Sequence, residues 1–164
     1  GWTWTAAFRW TDIQQTTIGA DGIAALRQKP LTNQFKGVIT TSYQTPLKKW
    51  QFDLTAQFNG GGRMPDGLNT YWLASSAAHQ FYEAPDGSLR YKWYPQLMAQ
   101  ITKYFRTCSI YLGAENMTNF KQESPIVAAT EPFGPNFDAS MAWGPISGWK
   151  IYLGFRYDLD RPEE

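Results

Sequence analysis

One cysteine, Cys108, and one histidine, His79, are all that 164 residues offer of the side chains most used to hold transition metals. An internal disulfide is impossible, and no Cys/His zinc cluster can be assembled. Charge is sparse and balanced. Fifteen Lys and Arg stand against fourteen Asp and Glu, a net +1, so there is no basic field, and no nucleic-acid partner is expected. No apolar run approaches the roughly 20 residues of a spanning helix, residues 126–129 being among the longest. A helical membrane protein is therefore excluded. The sequence opens at Gly1-Trp2-Thr3-Trp4 without the charged start, apolar stretch and cleavage site of an export signal. An exported protein of this sequence would carry its signal upstream.

Aromatics and alternation are what the sequence has. Rings make up 16% of residues against 18% charged, a balance that suits many short strands better than helices. Trp2, Trp4, Ala6, Phe8 and Trp10 share one parity and Thr3, Thr5, Arg9 and Thr11 the other, as a two-faced strand requires. Residues 13–30 lose the pattern around Gly19, Asp21-Gly22 and Pro30, and read as a long loop with a short helix at 23–28. Alternation resumes over 31–44, breaks at Thr45-Pro46-Leu47-Lys48, and is cleanest from Trp50 to Asn59, which makes a hairpin. A second long loop, 60–93, begins at Gly60-Gly61-Gly62. Leu97, Ala99, Ile101 and Phe105 then turn tightly at Arg106-Thr107 into Ile110, Leu112 and Ala114. A third loop, 120–148, with a short strand at 137–143, leads to a last strand from Ile151 to Leu159 and a tail, 160–164.

Period-two alternation also occurs in soluble sandwiches and lipocalin-like barrels. Three further features favour a membrane. The connections alternate short and long, as in outer-membrane barrels. Each strand supplies about ten residues, enough to cross an apolar band of ~25 Å when tilted. Rings gather at strand ends on the apolar parity, at Trp2, Trp10, Tyr43, Trp50, Phe58, Phe105 and Tyr157, where an aromatic girdle meets the headgroups. The expected fold is all-β: a segment of antiparallel transmembrane β-barrel of about six strands, in contact with a lipid bilayer. Closed barrels begin at about eight strands, so residues 1–159 are expected to be part of something larger.

The last third carries a specific likeness. Ile110-Tyr-Leu-Gly-Ala-Glu-Asn-Met-Thr-Asn-Phe120, Pro125-Ile126, Pro132-Phe133, Phe137-Asp-Ala-Ser, Trp143-Gly-Pro-Ile-Ser-Gly and Ile151-Tyr-Leu-Gly-Phe-Arg-Tyr157 together resemble the C-terminal end of a TonB-dependent outer-membrane receptor of the Bacteroidetes type. Glu115-Asn116-Met117-Thr118-Asn119 is similar to that family's asparagine motif on the penultimate strand. The detailed match covers about 94–159, although Asn59-Gly-Gly-Gly-Arg-Met-Pro65 is also familiar there. The resemblance implies the last six strands of a plugged barrel of about 22 strands, located in the outer membrane of a Gram-negative bacterium. It implies energised import of a nutrient ligand, with the remaining N-terminal barrel, the plug and the TonB complex as partners, and a surface lipoprotein as a further one. The plug would lie outside this chain. A passive porin-like barrel and a soluble ligand-binding β-barrel are the alternatives. One departure stands out: the family closes its last strand on an aromatic residue, whereas here Tyr157-Asp-Leu159 continues to Glu164.

Candidate sites are few. Gly60-Gly61-Gly62-Arg63 lacks the Lys-Ser/Thr of a phosphate loop; it reads as a flexible exit from the strand, with Arg63 free to face a ligand. No nucleophile, second histidine or carboxylate pair stands at catalytic spacing around His79, so neither an enzyme nor a cofactor is expected. Tyr71, Trp72, Phe81 and Tyr82 either grip a ligand at the outer mouth or pack loop against loop. With Arg63 and His79 they form the outer-loop candidate set. Arg9, Lys36, Asp53, Glu115, Arg156 and Asp158 fall on the polar parity and would line the lumen.

Overall fold

The structure, a computed structural model, describes residues 1–18, 22–67 and 69–158. Gly19 and Asp21 of the expected turn, Leu159 of the last expected strand and the tail 160–164 lie outside the described residues. In chain order the elements are β1 (Trp2–Trp10), β2 (Gln14–Ile18), β3 (Ala24–Gln28), β4 (Phe35–Gln44), β5 (Trp50–Asn59), β6 (Gly62–Arg63), α1 (Asn69–Ala74), a 3₁₀ turn (Ser76–Gln80), β7 (Phe81–Glu83), β8 (Leu89–Tyr91), β9 (Tyr94–Tyr104), β10 (Cys108–Glu115) and β11 (Lys150–Tyr157). The chain is mostly antiparallel β. Six strands form one open meander in the order β1-β4-β5-β9-β10-β11, which is not closed into a barrel.

Register gives this sheet two unlike faces. One row runs Trp2, Tyr43, Phe52, Ile101, Leu112, Leu153, with each residue opposite the next. The row beside it runs Thr3, Ser42, Asp53, Gln100, Gly113, Tyr152. Residues directly opposite point to the same side, so mainly apolar rows alternate with mainly polar ones, with Ala7, Val38 and Met98 as apolar members of the polar rows. Solvent exposure is inverted relative to a water-soluble sheet. Trp4 is 73% exposed and Leu153 74%, whereas Thr102 and Ser109 on the polar face are each 5% exposed.

Rings mark the ends of the apolar face. Trp2, Tyr43, Trp50, Phe52, Phe105 and Tyr157 stand at the turn side, and Phe8, Trp10, Phe35 and Phe58 at the loop side. Between them lie Ala6, Ile39, Leu54, Ala56, Leu97, Ala99 and Ala114, with Trp4 and Thr41 as exceptions. Lys103 shares the apolar face, but near the turn end, where its ammonium sits 4.3 Å from the Trp50 ring centroid and 5.7 Å from that of Phe105. A long side chain there keeps its charge at the edge and its stem on apolar surface.

The strands are also staggered. Trp2 opens β1, yet Leu153, its row partner on β11, stands four residues short of that strand's last residue, Tyr157. A one-directional stagger of this kind accompanies the strand tilt of barrels.

Tight connections close one end. Thr45 N donates to Trp50 O at 3.0 Å, Lys48 adopts φ 51°, and Phe105 N donates to Cys108 O at 2.8 Å. Long connections fill the other end. There the asparagine segment fastens two strands together. Asn116 and Asn119 adopt φ 49° and 53°, a region asparagine tolerates better than most residues. Asn116 Nδ2 then donates to Phe120 O at 2.7 Å and Ser147 O at 3.0 Å, tying the exit of β10 to the approach to β11.

Four local expectations are corrected. Residues 13–30 are largely a β-ribbon, β2 paired with β3, and the helix expected at 23–28 is the strand β3. Six residues are too few to hold a helix unaided, and pairing with β2 satisfies their backbone instead. The strand expected from residue 31 starts at Phe35, because Leu31 turns away at φ 56° to pack on the loop core. The strand expected at 137–143 reduces to one bridge, Val127 with Asp138, since Met141 and Trp143 are drawn into that core. The Gly60–62 exit is a close approach of backbones: a Cβ would lie 2.2 Å from Tyr91 O at Gly61 and 2.3 Å from Thr32 O at Gly62. Glycine serves contact there.

Candidate functional site

The polar face is knit by its own side chains. Tyr104 Oη donates to Gln51 Oε1 at 2.9 Å, and Gln51 Nε2 donates to both oxygens of Asp53 at 2.8 and 3.0 Å. The Thr40 and Thr55 hydroxyls are 3.1 Å apart. Gln57 donates to Asn59 at 2.8 Å and Asn59 to Gln96 at 3.3 Å; Tyr152 Oη donates to Gln100 at 3.0 Å. Tyr152 and Tyr111 lie over the glycines opposite them, Gly113 and Gly154, where a Cβ would come within 2.3 and 2.1 Å of the rings. Rings over glycines pin register on this face. Arg9, Lys36, Asp53, Glu115 and Arg156 all share this face by register, and Asp158 follows β11, its N–H donating to Thr107 O at 3.0 Å.

The molecule's apolar core lies at the loop end. Met64, Trp72, Ala77, Phe81, Leu89, Tyr91, Tyr94, Val127, Met141 and Trp143 are buried together. Trp143 is its hub, stacked on Tyr91 at 4.5 Å and edge-on to Phe81 at 5.8 Å, while Tyr94 stacks on Phe120 at 4.4 Å. Burial raises the pKa of the Tyr91 phenol above its ordinary value.

This core sorts the candidate residues. Trp72 is 0% and Phe81 3% exposed, 5.3 Å apart by ring centroid; both pack loop against loop. Arg63 is not free: its side chain is 4% exposed, its Nη2 pairs with both oxygens of Asp66 at 2.5 and 2.6 Å, and its Nη1 donates to Gln28 O at 3.2 Å. Tyr71 and Tyr82 remain at the surface, the Tyr71 hydroxyl donating to Ile126 O at 3.3 Å. His79 is exposed, with Nδ1 3.0 Å from Ser76 O and Nε2 3.9 Å from Glu123. A shallow hollow unites His79 with Lys92, Trp93, Asn119, Lys121 and Glu123. The six residues therefore do not form one site.

The feature that sequence reasoning missed is a cleft of about 400 Å³ between the β2–β3 ribbon and the second loop, lined by Arg27, Gln28, Arg63, Asp66, Asp86 and Arg90 among others. Arg63 and Arg90 stand directly opposite each other on β6 and β8. Asp66 answers Arg63 and also Arg27, at 2.9 Å. Asp86 is occupied elsewhere: it accepts from Ser88 Oγ at 2.6 Å and Ser88 N at 3.0 Å, bonds that hold its carboxyl below the usual range. Arg90 reaches it only at 3.9 Å, donates to Gln28 Oε1 at 3.0 Å, and leaves its buried Nε without a partner among the described residues. The sequence signal was faint, three arginines spread over residues 27–90. No helix among the described residues is long and apolar enough to cross a membrane, and no His/Cys/Asp/Glu group there could hold a metal ion. No family model, curated protein or solved structure matches the chain.

Proposed function

We propose that the six-stranded sheet is a stretch of wall of a closed outer-membrane barrel, and that the protein imports a nutrient ligand with energy delivered through TonB. The observation that carries the reading is the inverted sheet: apolar residues exposed on one face, hydrogen-bonded polar residues on the other, and both edges unpaired among the described residues. β1 is exposed at all nine residues and carries one charge, Arg9, and no proline. An edge so long and undefended invites further strands. In lipid, each unsatisfied backbone group costs several kcal/mol, so the wall must be completed by more strands. The tight turns then face the periplasm, and the loop core faces outward.

Energised rather than passive transport rests on the resemblance over residues 94–159, where Asn116 and Asn119 give the asparagine motif a structural role. The plug, the rest of the barrel, the TonB complex and a surface lipoprotein are the partners this reading requires. A plug and a TonB box in the same polypeptide separate it from a porin, and their absence there refutes energised import.

Sided labelling tests the topology. In a Cys108→Ser background, Phe133→Cys at the fully exposed loop tip is expected to react with an impermeant maleimide on intact cells. Leu47→Cys, in a tight turn, is expected to react only after permeabilisation. Equal labelling of both in intact cells, or labelling of neither site after permeabilisation, refutes the wall.

A further inference from the structure

We infer that the arginine cleft between the β2–β3 ribbon and the β6–β8 pair is a recognition site for an oxyanion, carboxylate or phosphate, borne by the transported solute. The inference deepens the proposed function and rests on it for the word transported.

The cleft opens on the polar side of the wall. Gln28 accepts from Arg90 and also from Gln34 Nε2 at 3.3 Å. Gln34 continues the ladder of β1 and β4 through Thr11 N, which donates to Gln34 O at 2.8 Å, and lies two residues from Lys36 on the same parity. The arginines therefore stand at the mouth of the hydrated face, where a solute enters from the loop side.

Like charges are set against each other there twice. Arg9 opposes Lys36 across β1 and β4, and Arg63 opposes Arg90 across β6 and β8. Directly opposed like charges destabilise a sheet, and two such pairs at one end call for anions. Within the cleft, three guanidiniums meet two carboxylates. Asp66 serves Arg27 and Arg63, and Asp86 is held by Ser88, which leaves Arg90 with a counter-charge no nearer than 3.9 Å. A guanidinium presents parallel N–H donors that match the two oxygens of a carboxylate or phosphate. Arg90 and the half-exposed Arg27 supply such donors on facing elements.

The test uses the full-length protein in detergent, with citrate and inorganic phosphate as probes, glucose as the neutral control, and isothermal titration as the readout. Binding of at least one anion, weakened by salt and reduced at least tenfold in both Arg90→Gln and Arg27→Gln, supports the site, and the preferred probe identifies the oxyanion. Arg27→Gln changes a surface-accessible side chain, so it reports even where Arg90→Gln fails to fold. Arg156→Gln, on the polar face at the turn end, is expected to bind as the parent does. No binding of either anion, or binding unchanged in Arg27→Gln, overturns the proposal. Arg-dependent binding in a protein that fails the sided labelling supports the anion site and removes the transport reading. Correct sidedness without Arg-dependent binding overturns the site alone.

Discussion

Replacing Leu54 by arginine puts the two faces of the sheet to a quantitative test. Leu54 is four residues from Trp50 and four from Phe58, the rings that bound the outward face of β5. At about 3.3 Å per residue and a tilt near 40°, each ring lies roughly 10 Å from it in depth, which places Leu54 near the middle of an apolar band of ~25 Å. Arginine at that depth costs about 2–4 kcal/mol in barrels, falling to about 0–1 near the interfaces. Thr55, the next residue, faces the hydrogen-bonded side. Thr55→Arg loses one hydroxyl contact, worth about 1 kcal/mol, and places its charge in water. The assay is urea unfolding of the full-length protein from lipid vesicles, followed by tryptophan fluorescence. Leu54→Arg is expected to lower stability by about 2–4 kcal/mol and Thr55→Arg by no more than about 1. Leu54 is 42% exposed in the chain itself, and an arginine there in water costs under about 0.5 kcal/mol. A Leu54→Arg effect that small, or equal losses at both positions, refutes the assignment of the apolar face to lipid.

Two further perturbations probe the polar face and the loop core. Gly113→Ala forces a Cβ to within 2.3 Å of the Tyr152 ring; it is expected to cost about 1–3 kcal/mol and almost nothing further in a Tyr152→Ala background, read by the same urea titration. Trp72→Ala empties a fully buried site in the loop core and is expected to cost that unit about 3–5 kcal/mol. Limited proteolysis should then cut within residues 60–93 while the six-stranded sheet stays protected, and simultaneous loss of both would show that the two are one cooperative unit.

How much of this was legible in the sequence follows from how much the surroundings discriminate between faces. From Trp50 to Asn59, where one side carries only apolar residues and the other a polar network, alternation is strict and the strand is legible to its ends. The β2–β3 ribbon has no such contrast. Gln14, Gln15, Thr16 and Thr17 show no alternation, and Ala24, Ala25 and Leu26 are good helix formers, so pairing that exists only in three dimensions overrode propensity. Arg63 escapes sequence reasoning for a related cause. Its burial depends on Asp66, Gln28 and a facing strand, and nothing around it in sequence announces that a charged residue after three glycines will be enclosed. The aromatic residues of the second loop divide in the same way: alternatives left open by composition are decided by contact, Trp72 and Phe81 going inside and Tyr71 and Tyr82 staying out.

The chain shows two opposite burial patterns, and the proposed wall accounts for both. In the loop cluster the enclosed residues are Trp72, Tyr91, Met64 and Leu89, and the surface carries Asp66, Glu83 and Asp86, the arrangement water dictates. In the sheet, apart from Tyr94 where β9 joins the loop core, Asn59, Thr102 and Ser109 are enclosed while Trp4, Phe8, Ile151 and Leu153 are turned out. Water alone would drive those rings together, as it has driven Trp72, Phe81 and Trp143 together some residues away. Apolar surroundings alone would leave Asp53, Gln51 and Gln100 without the hydration that their remaining lone pairs require. The proposed wall, with lipid on one side, an aqueous interior on the other and a water-exposed cap of loops, fits both patterns along one chain whose direction reverses from strand to strand.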